Sequence, residues 1–523
     1  MNSPDAVSAN PIRLSERAAN PRVLRLEPED NVIVAIDPIL PGATVQGMVA
    51  VGRVPKGHKM ATVAIKAGEA VLKFGQIIGF ATADIEAGAH VHEHNCGVQV
   101  FARDYQFAEA AEPERLLPAD QRRTFDGYRR ANGKVGTRNF IGILTSVNCS
   151  ASVARFIADA FNRSGALDDY PNIDGVVPFV QGSGCGMAGK GSEGFAAMQR
   201  TEWGYATHPN IVGALMVGLG CEVMQIPGLV KDYGLEENEM FRTMTIQASG
   251  GTRKTVEHGV AMIGEMLSQA NAVKREKVPV SEIMLALQCG GSDGYSGITA
   301  NPALGKAVDV LVAQGGTAVL CETPEIYGAE HLLTRRAASR EIGEKLVDII
   351  KWWEDYTARN HGEMNNNPTP GNKAGGLTTI LEKSLGAAAK GGTTTLRGVY
   401  RYAEPITACG FVFMDSPGYD PVAVTGQVAS GCNLVCFTTG RGSAFGFKPS
   451  PSIKLATNND TWQRQEEDMD INCGDIIDGV SLEEKGRQIF EEIIAVASGK
   501  RTKSEVLGYG DNEFVPWQIG AVM

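Results

Sequence analysis

Three apolar runs each stop at a cysteine that is followed at once by glycine or an acid. They are Met216–Cys221 before Glu222, Met284–Cys289 before Gly-Gly-Ser-Asp293, and Thr317–Cys321 before Glu322. Short apolar runs followed by helix-like patterns read as buried parallel strands. Open α/β sheets put their ligands beyond the carboxyl ends of such strands. Thiols and carboxylates are therefore gathered where small-molecule chemistry is done. Any one of these cysteines can equally be a small buried apolar residue. The set, with acids adjacent, points to a site.

The loops add further chemistry. The stretch from Cys289 to Pro302 offers a thiol, the Ser292 hydroxyl, the Asp293 carboxylate and the Asn301 amide on a glycine-rich backbone. Burying such groups unpaired is costly, so they need a partner. Glu322 and Glu325 stand three apart, which suits either a helix N-terminus or a divalent ion. The segment Pro368–Gly376 is expected to be non-helical and carries Asn372 and Lys373. A lysine fixed there can bind a carboxylate, or take a proton if burial lowers its pKa. Arg441 lies between glycines after an apolar run, and its guanidinium can hold a carboxylate through two hydrogen bonds. In His90-Val-His92-Glu-His94-Asn95 a strand would turn His92 and His94 to one side as a metal pair. His58, within Lys56–Lys59, is a second polar cluster. Cys185 lies in the glycine-rich loop 181–191, whose open amides can hold an anion. No Walker or dinucleotide fingerprint is present.

The elements that must position these groups fall into three regions. Residues 23–103 show short strands, such as 31–36, 60–65 and 76–81, punctuated by Gly and Pro, and no helical period. This is an all-β module. Residues 104–126 are charged and contain proline, and read as a linker or an extended arm. From 127 onward, strand and helix patterns alternate, which implies a parallel sheet covered on both faces. The strand candidate 175–180 contains Pro178, expected at an edge. Helices are expected at 302–314, 341–357 and 481–498, the last opened by Ser481 as cap. The fold class is α/β: a β module, a middle α/β domain at 127–278 and a Rossmann-like C-terminal domain at 279–523.

Composition sets the limits. A chain of 523 residues exceeds one core. Apolar content of 43% and no run of about 20 apolar residues describe a globular protein without a membrane helix. The polar first 22 residues lack the apolar core of a secretion signal, which fits the cytoplasm. Ten scattered cysteines favour reduced thiols or metal ligands over a disulfide framework. A net charge of −11 with no basic block argues against a nucleic-acid partner.

Several motifs together resemble the altronate/galactarate dehydratase family, sugar-acid dehydratases with an N-terminal SAF (β-clip) module. They are Pro55-Lys-Gly-His-Lys59, Gly88-Ala-His-Val-His-Glu-His-Asn95, Tyr128-Arg-Arg-Ala-Asn-Gly-Lys-Val-Gly136 and Gly218-Leu-Gly-Cys-Glu222. Gln288–Gly294, Gly297–Pro302, Pro370–Gly376 and Thr439–Gly442 continue the series. The segment 92–95 resembles the altronate branch, whereas the loop 182–190 matches neither branch closely. The resemblance implies a middle domain that can form a homodimer. It also implies dehydration of an aldonate or aldarate to a 2-keto-3-deoxy acid, assisted by Fe²⁺, with Mn²⁺ as a substitute.

That chemistry assigns roles. A base must face the C2 proton, and Lys373 or His58 is the candidate, with Asp293 beside them. Arg441 and Arg138 would grip a carboxylate, with Asn301, Asn372 and Ser292 on the substrate. Cys289, Glu322 and Glu325 would hold the metal, with His92 and His94 as a further pair. A second cofactor reading is an iron–sulfur cluster on Cys149, Cys185, Cys221 and Cys289. Two other functions fit the same modules: a sulfo-lyase acting on a sulfonated hydroxy acid, and a sugar-acid binder without catalysis.

Overall fold

The computed structural model describes residues 20–99, 103, 105–520 and 522–523. In the N-terminal module, Val32–Ala35 is buried along all four residues. It pairs antiparallel with Val23–Leu24 and Lys59–Ala61, and His90–Val91 completes the sheet. A second antiparallel layer comprises Ala70–Lys73, Gln76–Ala81 and Cys96–Gly97. One core is filled by Ile33, Ile39, Val54 and Met60. The other, around Val32, Val71, Ile78 and Val91, is completed by Ala329, Leu385 and Ala388 from the C-terminal region. The module is therefore seated on the rest of the chain through shared apolar packing. Each fully buried large aliphatic side chain of this kind stabilises by about 1.5–3 kcal/mol.

The arm after the module is shorter than expected. Thr124–Arg129 is a strand, paired antiparallel with Arg275–Pro279 and with Val135–Gly136. The expected linker end at 126 and the expected boundary at 278 both fall inside this small sheet. Charged residues suit it because the sheet is partly solvent-facing, with Glu276 and Lys277 exposed. Residue 104 and residues 100–102 lie outside the described residues.

The middle region is a four-stranded parallel sheet, in spatial order Gly175–Phe179, Phe140–Thr145, Ile211–Gly218, Phe241–Thr245. Pro178 lies in an edge strand, where its missing N–H costs no central ladder bond. Helices Ala151–Asn162 and Thr252–Ala272 cover one face through Val153, Ile157, Ile263 and Met266.

The C-terminal region is a seven-stranded sheet, parallel throughout. Its order is Leu396–Tyr400, Gly410–Met414, Thr317–Leu320, Met284–Cys289, Leu434–Thr439, Ser452–Ala456, Ile471–Asn472. Helices Ala300–Ala313 and Leu482–Ala497 pack on one face. Asp420–Ala429 packs on the other. Pro302 falls in the first turn of its helix, and Ser481 Oγ caps the last long helix by accepting from Glu484 N. Among the described residues no helix is long and apolar enough to cross a membrane.

Candidate active site at the carboxyl edge of the seven-stranded sheet

The central strands of the seven-stranded sheet end together, and the β module sits on their carboxyl side. Glycines make that approach possible. A Cβ on Gly294 would lie 2.2 Å from Gly57 O, and one on Gly376 would lie 2.3 Å from the same atom. Tyr295 Oη donates to the carbonyls of Ala35 and Ile36, both at 3.2 Å. Lys59 Nζ donates to Gly376 O at 2.7 Å and to Glu382 at 2.8 Å, while Lys73 Nζ reaches the other Glu382 oxygen at 2.9 Å.

Where the module meets the sheet edge, three imidazoles cluster. His58 Nδ1 is 3.0 Å from His90 Nε2, and His58 Nε2 is 3.3 Å from Ala374 O. His92 Nε2 donates to Lys373 O at 3.0 Å. Ring centroids are 4.9–5.5 Å apart. Burial holds His58 down to about 4 and His90 down to about 3, and lowers His92 as well. All three are therefore neutral at pH 7, the form that accepts a proton or ligates a late divalent metal. The expected strand pairing of His92 with His94 is corrected: the strand stops at Val91. Asn95 Oδ1 accepts from His92 N at 2.9 Å and closes a turn, which buries His92 and exposes His94. His90 takes the place given to His94, and the same alternation along the chain already pairs His90 with His92.

Lys373 lies on a short helix, Pro370–Ala374, where no helix was expected. Pro370 at the first position costs no hydrogen bond, and Thr369 and Asn372 form a capping box. Lys373 Nζ pairs with Glu93 at 2.9 Å. An ammonium in a salt bridge has no lone pair for a proton, so Lys373 suits carboxylate binding better than the role of base.

A second cluster is fully buried at the ends of the two central strands. Cys289 Sγ lies 3.4 Å from Glu325 and 3.8 Å from Glu322. Lys390 Nζ is 2.9 Å from Sγ and 3.5 Å from Glu322. Lys383 Nζ is 2.8 Å from Glu325. Burial pushes the Cys289 thiol up, so it stays protonated. Burial raises Glu322 well above the carboxylate range, helped by the Glu325 charge beside it. Burial also opposes ionisation of Glu325, but Lys383 and Lys390 outweigh it and hold that carboxyl down. Asp420, raised to about 6 by burial and by Glu325, completes the charge set.

The ligand atoms of Cys289, Glu322 and Glu325 all lie within 4.8 Å, a spacing a metal could use. Their chemistry does not fit one here. The Lys390 ammonium already lies between the thiol and Glu322, and the Glu325 charge is balanced by Lys383 and Lys390. A divalent ion would have to displace Lys390 and deprotonate both Cys289 and Glu322. The imidazole cluster can ligate without losing a proton, since its rings are neutral. Among the described residues, however, three of its ring nitrogens do not converge within 4.8 Å, so a divalent iron there would require the rings to shift.

The remaining expected site residues are held by the protein itself. Asp293 Oδ1 accepts from Ser296 Oγ, Thr457 Oγ1 and two backbone amides, and Oδ2 accepts from Asn458 Nδ2. It organises its loop and has no free face for catalysis. Asn301 is spent on Gly386 O and Thr438 Oγ1, and Asn372 on Ser292 O and Thr369 N. Ser292 lines a small cavity with Lys73, Asp293 and Lys383. Arg441 is exposed, and its backbone N–H donates to Gly291 O at 2.8 Å. Arg138 is elsewhere altogether: buried, and bidentate to Glu505 at 2.6 and 2.9 Å. Cys149, Cys185 and Cys221 follow strands of the four-stranded sheet and are exposed, whereas Cys289 ends a strand of the seven-stranded sheet and is buried against Lys390. The four expected cluster ligands are therefore divided between two sheets.

Lys73, Glu382, Lys383 and Lys390 escape notice in the sequence, where charged side chains read as surface, and Lys59 is read there only as part of a polar cluster. The faint signal is Lys59 inside the apolar strand Lys59–Ala61.

Three family models match this architecture segment by segment. The Altronate/galactarate dehydratase SAF domain matches residues 21–99. The second domain of D-galactarate dehydratase/Altronate hydrolase matches 127–271. The D-galactarate/Altronate dehydratase C-terminal domain matches 280–522. Altronate dehydratase of Bacillus subtilis is 35% identical over 492 residues, covering 92% of this chain and 96% of that protein. Galactarate dehydratase (L-threo-forming) of Escherichia coli is 35% identical over 462 residues, 87% of this chain and 88% of its own. The (2R)-sulfolactate sulfo-lyase subunit beta of Chromohalobacter salexigens is 32% identical over 405 residues, 75% of this chain and 97% of that subunit. With a β-clip docked on a parallel sheet edge, these matches define a chain of the lyase class. The chain belongs to the altronate/galactarate dehydratase family.

Proposed function

We propose that the chain is a hydro-lyase that removes water from a sugar acid, an altronate-type aldonate or a galactarate-type aldarate, giving a 2-keto-3-deoxy acid. The observation that carries this reading is the imidazole cluster at the seam between the β module and the sheet edge, in a chain aligned nearly end to end with dehydratases.

The proton on C2 lies next to a carboxylate and is only weakly acidic. A neutral imidazole can take it. His58 is locked between His90 and Ala374, which fixes its ring, and His92 keeps Nδ1 unspent in the contacts described. As the C2–H pair moves to form the C2–C3 double bond, the C3 hydroxyl leaves with a proton, and the enol becomes the 2-keto product. Lys373 supplies positive charge for a substrate carboxylate, and the exposed Arg441 is a second cation for it. Fe²⁺, or Mn²⁺ in its place, would take an imidazole from His58 or His90 after those rings shift, leaving the His92 lone pair for the C2 proton, and would stabilise charge on the carboxylate and on the departing hydroxide.

The test is a panel of hexonates and hexarates incubated with iron-supplied protein under anaerobic conditions, read as 2-keto-3-deoxy acid. Turnover of at least one acid, lost on chelation and restored by Fe²⁺, is expected. A protein that binds sugar acids and yields no product would be a binding protein instead.

The match across 97% of a sulfo-lyase subunit supports a second reading, elimination of sulfite from a sulfonated hydroxy acid. Release of sulfite from sulfolactate, with no product from the sugar acids, would favour it.

A further inference from the structure

We propose that Cys149, Cys185 and Cys221 hold an iron–sulfur cluster of the four-iron type, one iron of which has no cysteine ligand. The three residues follow three neighbouring strands of the four-stranded sheet, Phe140–Thr145, Gly175–Phe179 and Ile211–Gly218. The first of these lies between the other two, so the three loops meet at one carboxyl edge.

Backbone contacts tie those loops together. Asn148 N donates to Ser183 O at 2.9 Å, and Val223 N donates to Gly184 O at 2.9 Å. Gly184 is so closely packed that a Cβ there would lie 2.1 Å from Ser146 O. Glu222 accepts from Ser146 Oγ at 2.6 Å and from Gly220 N at 2.6 Å. The acid beside Cys221 is thus a buried strut that fixes the Cys221 loop to the Cys149 loop.

The thiols themselves stay outside. Cys149, Cys185 and Cys221 are exposed and free, as is the isolated Cys409, whereas Cys96, Cys289, Cys321, Cys432, Cys436 and Cys473 are buried. Cysteine is among the residues most often buried. Three exposed thiols on adjoining loops of one sheet edge therefore call for a ligand.

Geometry selects the kind of ligand. A single zinc-like ion binds sulfur at about 2.3 Å, which draws tetrahedral ligands to about 3.8 Å from one another. Among the described residues, the three sulfurs do not form a group within 4.8 Å. A cluster spreads its thiolates, because each binds a different iron, and thiolate is its usual ligand. With only three cysteines at this edge, one iron stays open to water or to a substrate oxygen and can act as a Lewis acid. The segments beside Cys149 and Cys185 line a cleft of about 400 Å³ bordered by Asn148, Ser152, Arg155, Gln181 and Asn512. The Arg155 guanidinium there suits a carboxylate. Two ferrous ions, two ferric ions and four sulfides form the core. The three thiols release their protons on binding, and no oxidant or reductant is consumed.

The test uses the full-length protein under anaerobic conditions. It is supplied with equal ferrous and ferric iron and with sulfide, then desalted. About four irons and four acid-labile sulfides per chain, with broad visible absorption, are expected. Cys149→Ser, Cys185→Ser and Cys221→Ser should each cut bound sulfide by at least half, and Cys409→Ser should not. Wild-type protein with the cluster should also protect these three thiols from alkylation, read by peptide mapping, which does not depend on a variant folding. Absence of bound sulfide, equal alkylation with and without the cluster, or loss of sulfide in Cys289→Ser but in none of the three would overturn the proposal. The sulfide count does not depend on turnover, so it stands or falls separately from the hydro-lyase reading.

Discussion

Glu382 and Lys383 are consecutive in one helix, yet their side chains close two different charged clusters. Glu382 takes Lys59 and Lys73 from the β module, and Lys383 takes Glu325 at the sheet edge. One turn of the helix Ile380–Ala388 thereby couples the seating of the module to the charge balance of the Cys289 cluster.

Glu382→Gln should loosen the module. It leaves two buried ammoniums without their carboxylate, and breaking a buried pair in this way costs about 3–5 kcal/mol. The pH dependence has a definite sign. Burial opposes ionisation of Glu382, but the two lysines win and hold it down to about 2, from an ordinary 4.5. Its contribution is fully present above pH 4.5 and is lost as pH falls toward 2. Urea unfolding at pH 7 should show the loss, and the acid limb of the stability curve should be shallower in the variant. An unchanged midpoint at pH 7 would mean that the module is held by apolar packing alone.

The two glutamates beside Cys289 should behave differently despite equal burial. Burial drives Glu322 toward its neutral form, so Glu322→Gln removes little charge and should cost less than about 1 kcal/mol. Glu325 is ionised against Lys383, and Glu325→Gln should cost about 3–5 kcal/mol. Thermal unfolding of both proteins checks this. A divalent ion bound at these residues would instead make both changes equally harmful and sensitive to chelator.

Part of this arrangement is visible in the sequence. Leu434–Thr439 is a strand of the length its apolar run suggests, and Cys289 and Cys321 do stand at neighbouring strand ends. Apolar runs fix where strands lie but not which sheet they join, so Cys221 looks equivalent to Cys289 and belongs to another sheet. The prolines of 368–376 suggest a helix-free loop, although Thr369 and Asn372 form the cap of a short helix. Buried lysines such as Lys390 and Lys73 are illegible because only tertiary contacts supply the carboxylates that make their burial affordable.

The imidazoles at the seam give a further pH signature. His58 falls to about 4 and His90 to about 3 chiefly through burial, from an ordinary 6.5. Their folded values lie below the unfolded one, so the unfolded chain binds more protons between them. Stability from this pair is complete above pH 6.5 and drains away as pH falls toward 4. His58→Asn should flatten that segment of the curve. If an imidazole is the base, kcat/KM should fall by about 10²–10⁴ in His58→Asn or His92→Asn. Retention of full activity in both would move the base to another residue.

Arg138 separates a structural cation from a substrate-binding one. Its guanidinium is bidentate to Glu505 and also donates to the carbonyls of Thr137, Val496 and Lys500 at 2.8–2.9 Å. Every donor direction is spent on the junction between the middle sheet and the C-terminal helices. Arg138→Ala strands a half-buried carboxylate and three carbonyls, a loss of about 3–5 kcal/mol. Arg138→Lys should rescue little, because one ammonium cannot span a fork of acceptors. Urea midpoints should drop in both variants, while KM for the sugar acid, measured on the folded fraction, stays at the wild-type value. A many-fold rise in KM with an unmoved midpoint would place the guanidinium on the substrate and refute its role as a strut.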